Sequence, residues 1–298
     1  MNKNPIHPSK LPLAQPPADA SVEAGALGMR SIPTHLGNLA VYDTGMPDRP
    51  VASSQVLVFW HSILADHRIY DAQVAVLREY HRLILIDGPG HGASGAPSGT
   101  FSMAQCAQAQ KQVLDALEIK QPVVCIGTSW GGLVAGEFAL RFPHRTRAIV
   151  MFNSPVFKSS AQWRDGFVAW GARWLSGTNL YVKGVAEAYF LPATRKREAA
   201  FMTQFSQHIH RVGGKALAQV VRSVLLERDD LAARLKDIAA PTLFVAGTHD
   251  PFCPVDDQRR AAGQLRHGRF VELTAAHISV VDAPEASTRT IDSFLAEL

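Results

Sequence analysis

Residues 122–142 read PVVCIGTSWGGLVAGEFALRF, a strand-like run and a helix-like run joined by a glycine-rich turn. The run PVVCIG is continuously apolar, which favours a β-strand buried on both faces. The run GLVAGEFALRF has helical spacing and stops at Pro143, because the residue before a proline is pushed out of the helical region. The turn itself holds Ser129 and Trp130. The pattern predicts a sharp strand-to-helix turn that exposes a serine hydroxyl.

The glycines of this turn have a steric explanation. Gly127 and Gly131 flank Ser129 in the spacing G-x-S-x-G. We expect both positions to lack a Cβ because the strand and the helix crowd together there. We expect Ser129 to take a strained conformation with a positive φ. The motif by itself is weak, and an ordinary tight turn is the alternative, so its place between a strand and a helix carries the prediction.

Short apolar runs alternate with helical patterns along the rest of the chain. This alternation predicts an α/β fold with a mostly parallel central sheet flanked by helices. Two earlier segments, RSIPTHLG and LAVYDTG, alternate apolar and polar residues and predict an antiparallel leading pair. The predicted parallel strands are QVLVFW (55–60), HRLILID (81–87), PVVCIG (122–127), TRAIVMFN (146–153), PTLFVAG (241–247) and GRFVEL (268–273).

The alternation breaks in one long segment. Residues 156–238 contain helical patterns and no good strand, which predicts a helical cap inserted into a core of residues 31–155 and 239–298. Residues 1–30 are rich in Pro and Ala and predict a disordered tail. The cap carries four aromatic residues at helical spacing, which indicates packing against the core, lining of an apolar substrate pocket, or both. These residues are Trp163, Phe167, Trp170 and Trp174.

A serine hydroxyl needs a base, and the base needs an acid that orients it. Asp250 follows the strand-like run PTLFVAG, and His277 follows GRFVEL. Because parallel strands end at the same edge of a sheet, both side chains are expected near Ser129. The order Ser, acid, His is the one expected for this arrangement.

Other residues compete for these two roles. His249 is adjacent to the predicted acid, and His267 precedes the last strand. Asp256 and Asp257 have the position of helix-start residues. The loop after TRAIVMFN offers only Asn153 and Ser154.

The loop after QVLVFW is the expected source of a second backbone donor for a developing oxyanion. It begins His61-Ser62-Ile63-Leu64. The predicted donors are the peptide N–H groups of Ile63 and Trp130. His61 is either a site residue or a structural residue that holds the loop by hydrogen bonds.

Bulk properties exclude several classes of function. The 298 residues carry a formal net charge of +4, spread along the chain, which does not favour a nucleic-acid surface. Three scattered cysteines fit a reducing compartment and a cytoplasmic location. The sequence contains no run of 18 apolar residues, so it predicts no membrane span. We expect no membrane partner, a small-molecule substrate, and a homodimer as one possible assembly.

Two further motif classes are excluded. DGPGHGAS (87–94) has neither the GxGxxG nor the Walker A spacing, so we interpret it as a tight loop in which His91 is structural. No metal-ligand spacing such as HExxH is present. We therefore expect no cofactor and no metal.

The chain resembles the α/β-hydrolase fold family from about residue 31 to residue 298. Four segments are similar to 3-oxoadipate enol-lactonases, which hydrolyse a small enol-lactone without a cofactor. The resemblance implies Ser129 as nucleophile, Asp250 as acid and His277 as base. The chain departs from that family at Trp130, where methionine is usual, and in a cap rich in aromatic residues. The similar segments are HSILADHRIYDAQVAVL, LIDGPGHGASGAP, GTSWGGLVAGEFALRFPHR and TAAHISVVDAPE.

These features predict hydrolysis of a carboxylic ester or lactone through an acyl-enzyme. The same residues would also serve C–C bond hydrolysis, perhydrolase or haloperoxidase-type chemistry, or acyl-homoserine lactone cleavage. A ligand-binding protein without turnover is the alternative from another class. The predicted substrate contacts are His61, Ser62, Trp130, Trp163 and Trp170.

Overall fold

A computed structural model describes residues 28–158 and 162–298, without the side chains of residues 162–165 and 167. The predicted N-terminal tail lies outside the described residues except at its end. Residues 28–30, which the prediction assigned to the tail, already belong to the first strand.

The central element is an eight-stranded sheet in the order β1-β2-β4-β3-β5-β6-β7-β8. The first two strands pair antiparallel, as predicted, and β2 joins β4 antiparallel. Every pairing from β4 to β8 is parallel. The predicted fold class is therefore confirmed, and each of the six predicted runs forms a strand. The strands are β1 (Gly28–Thr34), β2 (Gly37–Asp43), β3 (Val56–Trp60), β4 (Arg82–Ile86), β5 (Val123–Thr128), β6 (Thr146–Phe152), β7 (Thr242–Gly247) and β8 (Gly268–Leu273).

The central strands lie in the core of the molecule. Every residue of β3, β5 and β7 is buried, because helices cover both faces of a parallel sheet. The helices outside residues 156–238 are α1 (Asp71–Leu77), α2 (Met103–Ala116), α3 (Trp130–Arg141), α9 (Val255–Gln264), α10 (Ser279–Asp282) and α11 (Pro284–Leu295).

The helix termini follow local capping chemistry. Ser102 is the N-cap of α2 and forms a reciprocal capping box with Gln105. Tyr70 ends a 3-10 turn that directly precedes α1, and α1 ends at Leu77.

Helices alone connect β6 to β7 within the described residues of that segment. They are α4 (Gln162–Trp174), α5 (Asn179–Tyr189), α6 (Pro192–Arg197), α7 (Ala199–Val212) and α8 (Lys215–Val221), followed by a π-helical turn at Arg222–Leu226 and a 3-10 helix at Ala232–Asp237. We call residues 156–238 the cap; that it acts as a separate unit stays a prediction. In the part of the chain that the structure describes, no helix is long and apolar enough to cross a membrane.

Candidate active site

Ser129 lies on the turn between β5 and α3. Its φ of 56° and ψ of −109° are rare for a residue with a side chain. Its N–H donates to the carbonyl oxygen of Phe152 at 2.8 Å, which ties the turn to the end of β6. The predicted positive φ is confirmed, and the turn places Ser129 at the carboxyl end of the sheet.

The two glycines of the motif are required by close backbone approach. A Cβ on Gly127 would lie 2.0 Å from the carbonyl carbon of Gly131. A Cβ on Gly131 would lie 1.8 Å from the carbonyl oxygen of Trp60 in β3. Since real Cβ atoms do not approach so closely, only glycine allows α3 to start this near to β3 and β5.

Asp250 and His277 meet at the same edge of the sheet. Asp250 follows β7, and His277 follows β8. Nδ1 of His277 lies 2.9 Å from Oδ2 and 3.0 Å from Oδ1 of Asp250. With Nδ1–H directed at the carboxylate, the lone pair of the imidazole is on Nε2, as a general base requires.

Three other hydrogen bonds hold the carboxylate of Asp250. Oδ1 of Asp250 accepts the N–H of Phe252 at 2.8 Å and that of Cys253 at 3.2 Å. Oδ2 accepts Nδ2 of Asn153 at 2.8 Å. Burial alone would raise the pKa of Asp250, but the charge of His277 and these hydrogen bonds outweigh it and lower the pKa. Asp250 is therefore held in its ionised form.

Asn153 is a site residue that sequence reasoning did not assign. It directly follows β6 and has a φ of 47°, and its Nδ2 also donates to the carbonyl oxygen of Ala276 at 3.2 Å. Its Oδ1 accepts the hydroxyl of Ser279. Asn153 therefore links the acid loop to the histidine loop. The available signal was its position, a polar residue at the end of the strand between those of Ser129 and Asp250.

The loop after β3 packs directly on the serine turn. The N–H of Gly131 donates to the carbonyl oxygen of His61 at 3.1 Å. In the described residues the N–H of Ile63 has no acceptor. Trp130 is the first residue of α3, where a backbone N–H has no partner inside the helix. Both predicted donors are thus unpaired; that they act on an oxyanion stays a prediction.

His61 and Ser62 are both buried in this loop. Nδ1 of His61 donates to the carbonyl oxygen of Ser62 at 2.6 Å, and Nε2 accepts the N–H of Gly88 at 2.8 Å. Burial lowers the pKa of His61, which keeps the ring neutral in this tautomer. These bonds agree with the structural role considered for His61, and substrate contact by either residue stays a prediction.

The predicted substrate contact of the Trp130 side chain does not agree with its packing. The indole has no exposed surface. Its ring lies 5.4 Å from that of Trp60 and 5.9 Å from that of Phe101, with His61 and His91 each at 5.5 Å. A side chain at the start of a helix points back along the helix, so this indole packs into the core.

The two remaining predicted substrate contacts, Trp163 and Trp170, are on α4. Trp170 is 49% exposed. Trp174, which belongs to the same aromatic stripe one turn later, is 64% exposed. These two rings are therefore only partly packed against the rest of the fold, and the lining of a substrate pocket by Trp170 stays a prediction. The side chains of Trp163 and Phe167 lie outside the described residues.

Two aromatic residues that the sequence did not single out contact the predicted base. The ring of Tyr189, at the end of α5, lies 5.1 Å from that of His277. The ring of Phe252, in the acid loop, lies 5.0 Å from it, and Phe252 is 43% exposed. The proximity of Phe252 to Asp250 was a usable signal; Tyr189 had none.

The rival residues have other partners. His249 pairs with the hydroxyl of Thr248 at 3.0 Å. Asp256 and Asp257 belong to the first turn of α9 and form ion pairs with Arg259 and Arg260.

One group of side chains has the composition of a metal site. Donor atoms of Asp250, Cys253 and His277 lie within 4.8 Å of one another. Both carboxylate oxygens of Asp250 already accept hydrogen bonds, and the thiol of Cys253 donates to the carbonyl oxygen of Asn153 at 3.1 Å. Since these groups already have partners, the group is better explained as a hydrogen-bonded acid and base than as a metal centre.

Comparison with known proteins identifies the family. Residues 55–284 match the model of the alpha/beta hydrolase fold. The chain belongs to the α/β-hydrolase fold family. This confirms the resemblance noted in the sequence and the class of enzyme, a hydrolase.

Individual relatives have low identity but broad coverage. The 3-oxoadipate enol-lactonase 2 of Acinetobacter baylyi is 27% identical over 255 residues, which cover 84% of this chain and 90% of the relative. An esterase from Thermogutta terrifontis superposes with a TM-score of 0.79 at 23% identity, covering 91% of this chain and 98% of the esterase. The enol-lactonase from Burkholderia xenovorans gives a TM-score of 0.77 at 24% identity, with 87% and 96% coverage. These two structures support the fold only.

Proposed function

We propose that this hydrolase cleaves a carboxylic ester or lactone, with Ser129 as nucleophile, His277 as base and Asp250 as the acid that orients it. The observation that carries the proposal is the contact between Asp250 and Nδ1 of His277, at the sheet edge where Ser129 is held in a strained turn. That contact leaves Nε2 of His277 to accept a proton.

The reaction proceeds in two steps. Nε2 of His277 takes the proton of the Ser129 hydroxyl as its oxygen attacks the substrate carbonyl carbon. The N–H groups of Ile63 and Trp130 stabilise the oxyanion of the tetrahedral intermediate, each by about 3 kcal/mol. His277 then protonates the departing alkoxide, and water attacks the acyl-enzyme with His277 again as base.

The surroundings of His277 favour an apolar group on the substrate. The imidazole of His277 packs against the aromatic side chains of Tyr189 and Phe252. A carboxylate-bearing substrate would call for cationic groups in the cap, but four cationic residues of the cap have other partners. Arg173 lies over the ring of Trp174, Lys183 and Arg195 pair with Glu187, and Arg197 pairs with Glu198. We therefore rank aryl or alkyl esters and apolar lactones above a dicarboxylate-like enol-lactone, with the cap closing over the substrate.

A panel of p-nitrophenyl esters and small lactones tests the proposal. Ser129→Ala should lower kcat at least about 10⁴-fold and abolish labelling by a fluorophosphonate probe. Ser98→Ala, at an exposed loop position, is the matched control and should retain both. Turnover by the Ser129→Ala protein near the original rate would refute the assignment.

A further inference from the structure

The peptide that joins Ile63 to Leu64 is held at both of its ends. Its N–H, on Leu64, donates to Nε2 of His91 at 3.0 Å. Its carbonyl oxygen, on Ile63, accepts the hydroxyl of Tyr189 at 3.1 Å. Leu64 has a φ of 63°, a conformation that costs a residue with a side chain free energy unless its surroundings fix it. The two hydrogen bonds supply that constraint.

The two partners of this peptide come from different parts of the fold. His91 belongs to the loop after β4, within the core. Its other nitrogen, Nδ1, faces the carbonyl oxygen of Pro89 at 3.2 Å, so Nε2 is the acceptor. Tyr189 is the last residue of α5, within the cap. One cap side chain therefore reaches the loop that supplies the Ile63 N–H.

Tyr189 is itself fixed to the loop of the predicted base. Its carbonyl oxygen accepts the N–H of Ile278 at 3.1 Å. Two residues on, the N–H of Leu191 donates to the carboxylate of Asp282 at 3.0 Å. The same carboxylate accepts the N–H of Ala276 at 2.7 Å. The end of α5 and the histidine loop thus form one hydrogen-bonded unit, and Tyr189 is 4% exposed within it.

We propose that Tyr189 is a positioning residue, whose hydroxyl fixes the loop after β3 so that the Ile63 N–H points at the reacting carbonyl oxygen. The proposal rests on the ester or lactone hydrolysis assigned above. The hydroxyl bonds the peptide that follows Ile63, and His61 bonds the peptide that precedes it. Together they remove rotation about the Ile63 backbone, which would otherwise turn the N–H away.

Tyr189→Phe tests the role because it removes only the hydroxyl. Loss of a whole oxyanion donor costs about 100-fold or more in kcat, so loss of its support should lower kcat by about 10-fold while KM changes less than about twofold. The inhibition constant of an aryl trifluoromethyl ketone, which forms an oxyanion adduct on the serine, should rise by a similar factor. Tyr181→Phe, in the same helix, is the matched control and should change neither value.

Active-site titration with a fluorophosphonate separates the possible results, since kcat is then expressed per competent serine. A selective loss of kcat with weaker ketone binding supports the proposal. Unchanged kcat and ketone affinity would overturn it, and so would a loss that only follows a smaller titratable fraction. The Ser129→Ala protein tests the underlying reaction assignment separately. If that assignment is wrong, Ser129→Ala keeps its activity, and a change in Tyr189→Phe then says nothing about an oxyanion.

Discussion

The carboxyl end of the sheet and the cap both contribute to this site, but their residues are held in different ways. At the sheet, backbone hydrogen bonds between neighbouring strands fix Ser129 against Phe152, and Asn153 against Val245 at 2.8 Å. From the cap, Tyr189 and His208 reach the loop after β3 through side chains. Strand ends are therefore predictable from pattern, whereas cap contacts depend on packing that no motif encodes.

The largest expected effect on kcat comes from Asp250, at the carboxyl end of the sheet. Asp250→Asn would remove the charge that orients His277 and would favour the wrong tautomer, so kcat should fall about 10⁴-fold. Stopped or continuous p-nitrophenyl ester assays measure the change. Asp256→Asn, at a position whose side chain is 91% exposed, serves as control and should act as the unmodified chain does. A drop of less than about tenfold for Asp250→Asn would show that the charge of Asp250 is not needed to orient His277.

The largest expected effect in the cap is on stability rather than rate. His208 in α7 is 1% exposed, and its Nδ1 lies 3.2 Å from Oδ2 of Asp66, in a direction that forms no hydrogen bond. Burial lowers the pKa of His208 to about 4, although the charge of Asp66 opposes the shift. The unfolded chain then binds a proton that the folded chain does not, and stability falls as pH drops below about 6.5.

Chemical denaturation at pH 7 and pH 5 measures this contribution. The free energy of unfolding should fall by about 2 kcal/mol more in the unmodified chain than in His208→Leu over that interval. His210→Leu, at an exposed position of the same helix, should keep the original pH dependence. If the free energy of unfolding changes equally with pH in all three proteins, His208 is not held neutral by the fold.

Much of the fold and the acid–base pair could be predicted because each residue follows a strand of recognisable pattern. Ser129, Asp250 and His277 come after β5, β7 and β8, and strand order alone brings their backbones to one edge. Trp130 was misjudged for its side chain, since adjacency in sequence does not tell which way a helix-start residue points. Tyr189 and His208 could not be predicted, because their contacts join segments more than a hundred residues apart.

A substitution of Asn153 tests whether the backbone N–H groups of the acid loop are enough to hold the carboxylate of Asp250. Asn153→Ala would remove the hydrogen bond to Asp250 and raise the pKa of that carboxyl, with a kcat about tenfold lower. The pH–rate profile and kcat for an aryl ester measure both effects. Ser154→Ala, the next residue in the chain, gives the matched comparison. An unchanged rate in Asn153→Ala would mean that Phe252 and Cys253 N–H groups suffice to hold the acid.

The smallest expected effect concerns Phe252, where sheet and cap meet. It belongs to the acid loop, yet its ring lies 6.0 Å from that of Tyr189 as well as against His277. Phe252→Ala should lower kcat/KM for phenyl esters by roughly fivefold relative to methyl esters, since an apolar contact contributes about 1 kcal/mol. Leu180→Ala, an 81% exposed cap position, should leave that ratio unchanged. If Leu180→Ala alters the ratio and Phe252→Ala does not, selectivity belongs to the cap surface and not to the end of the sheet.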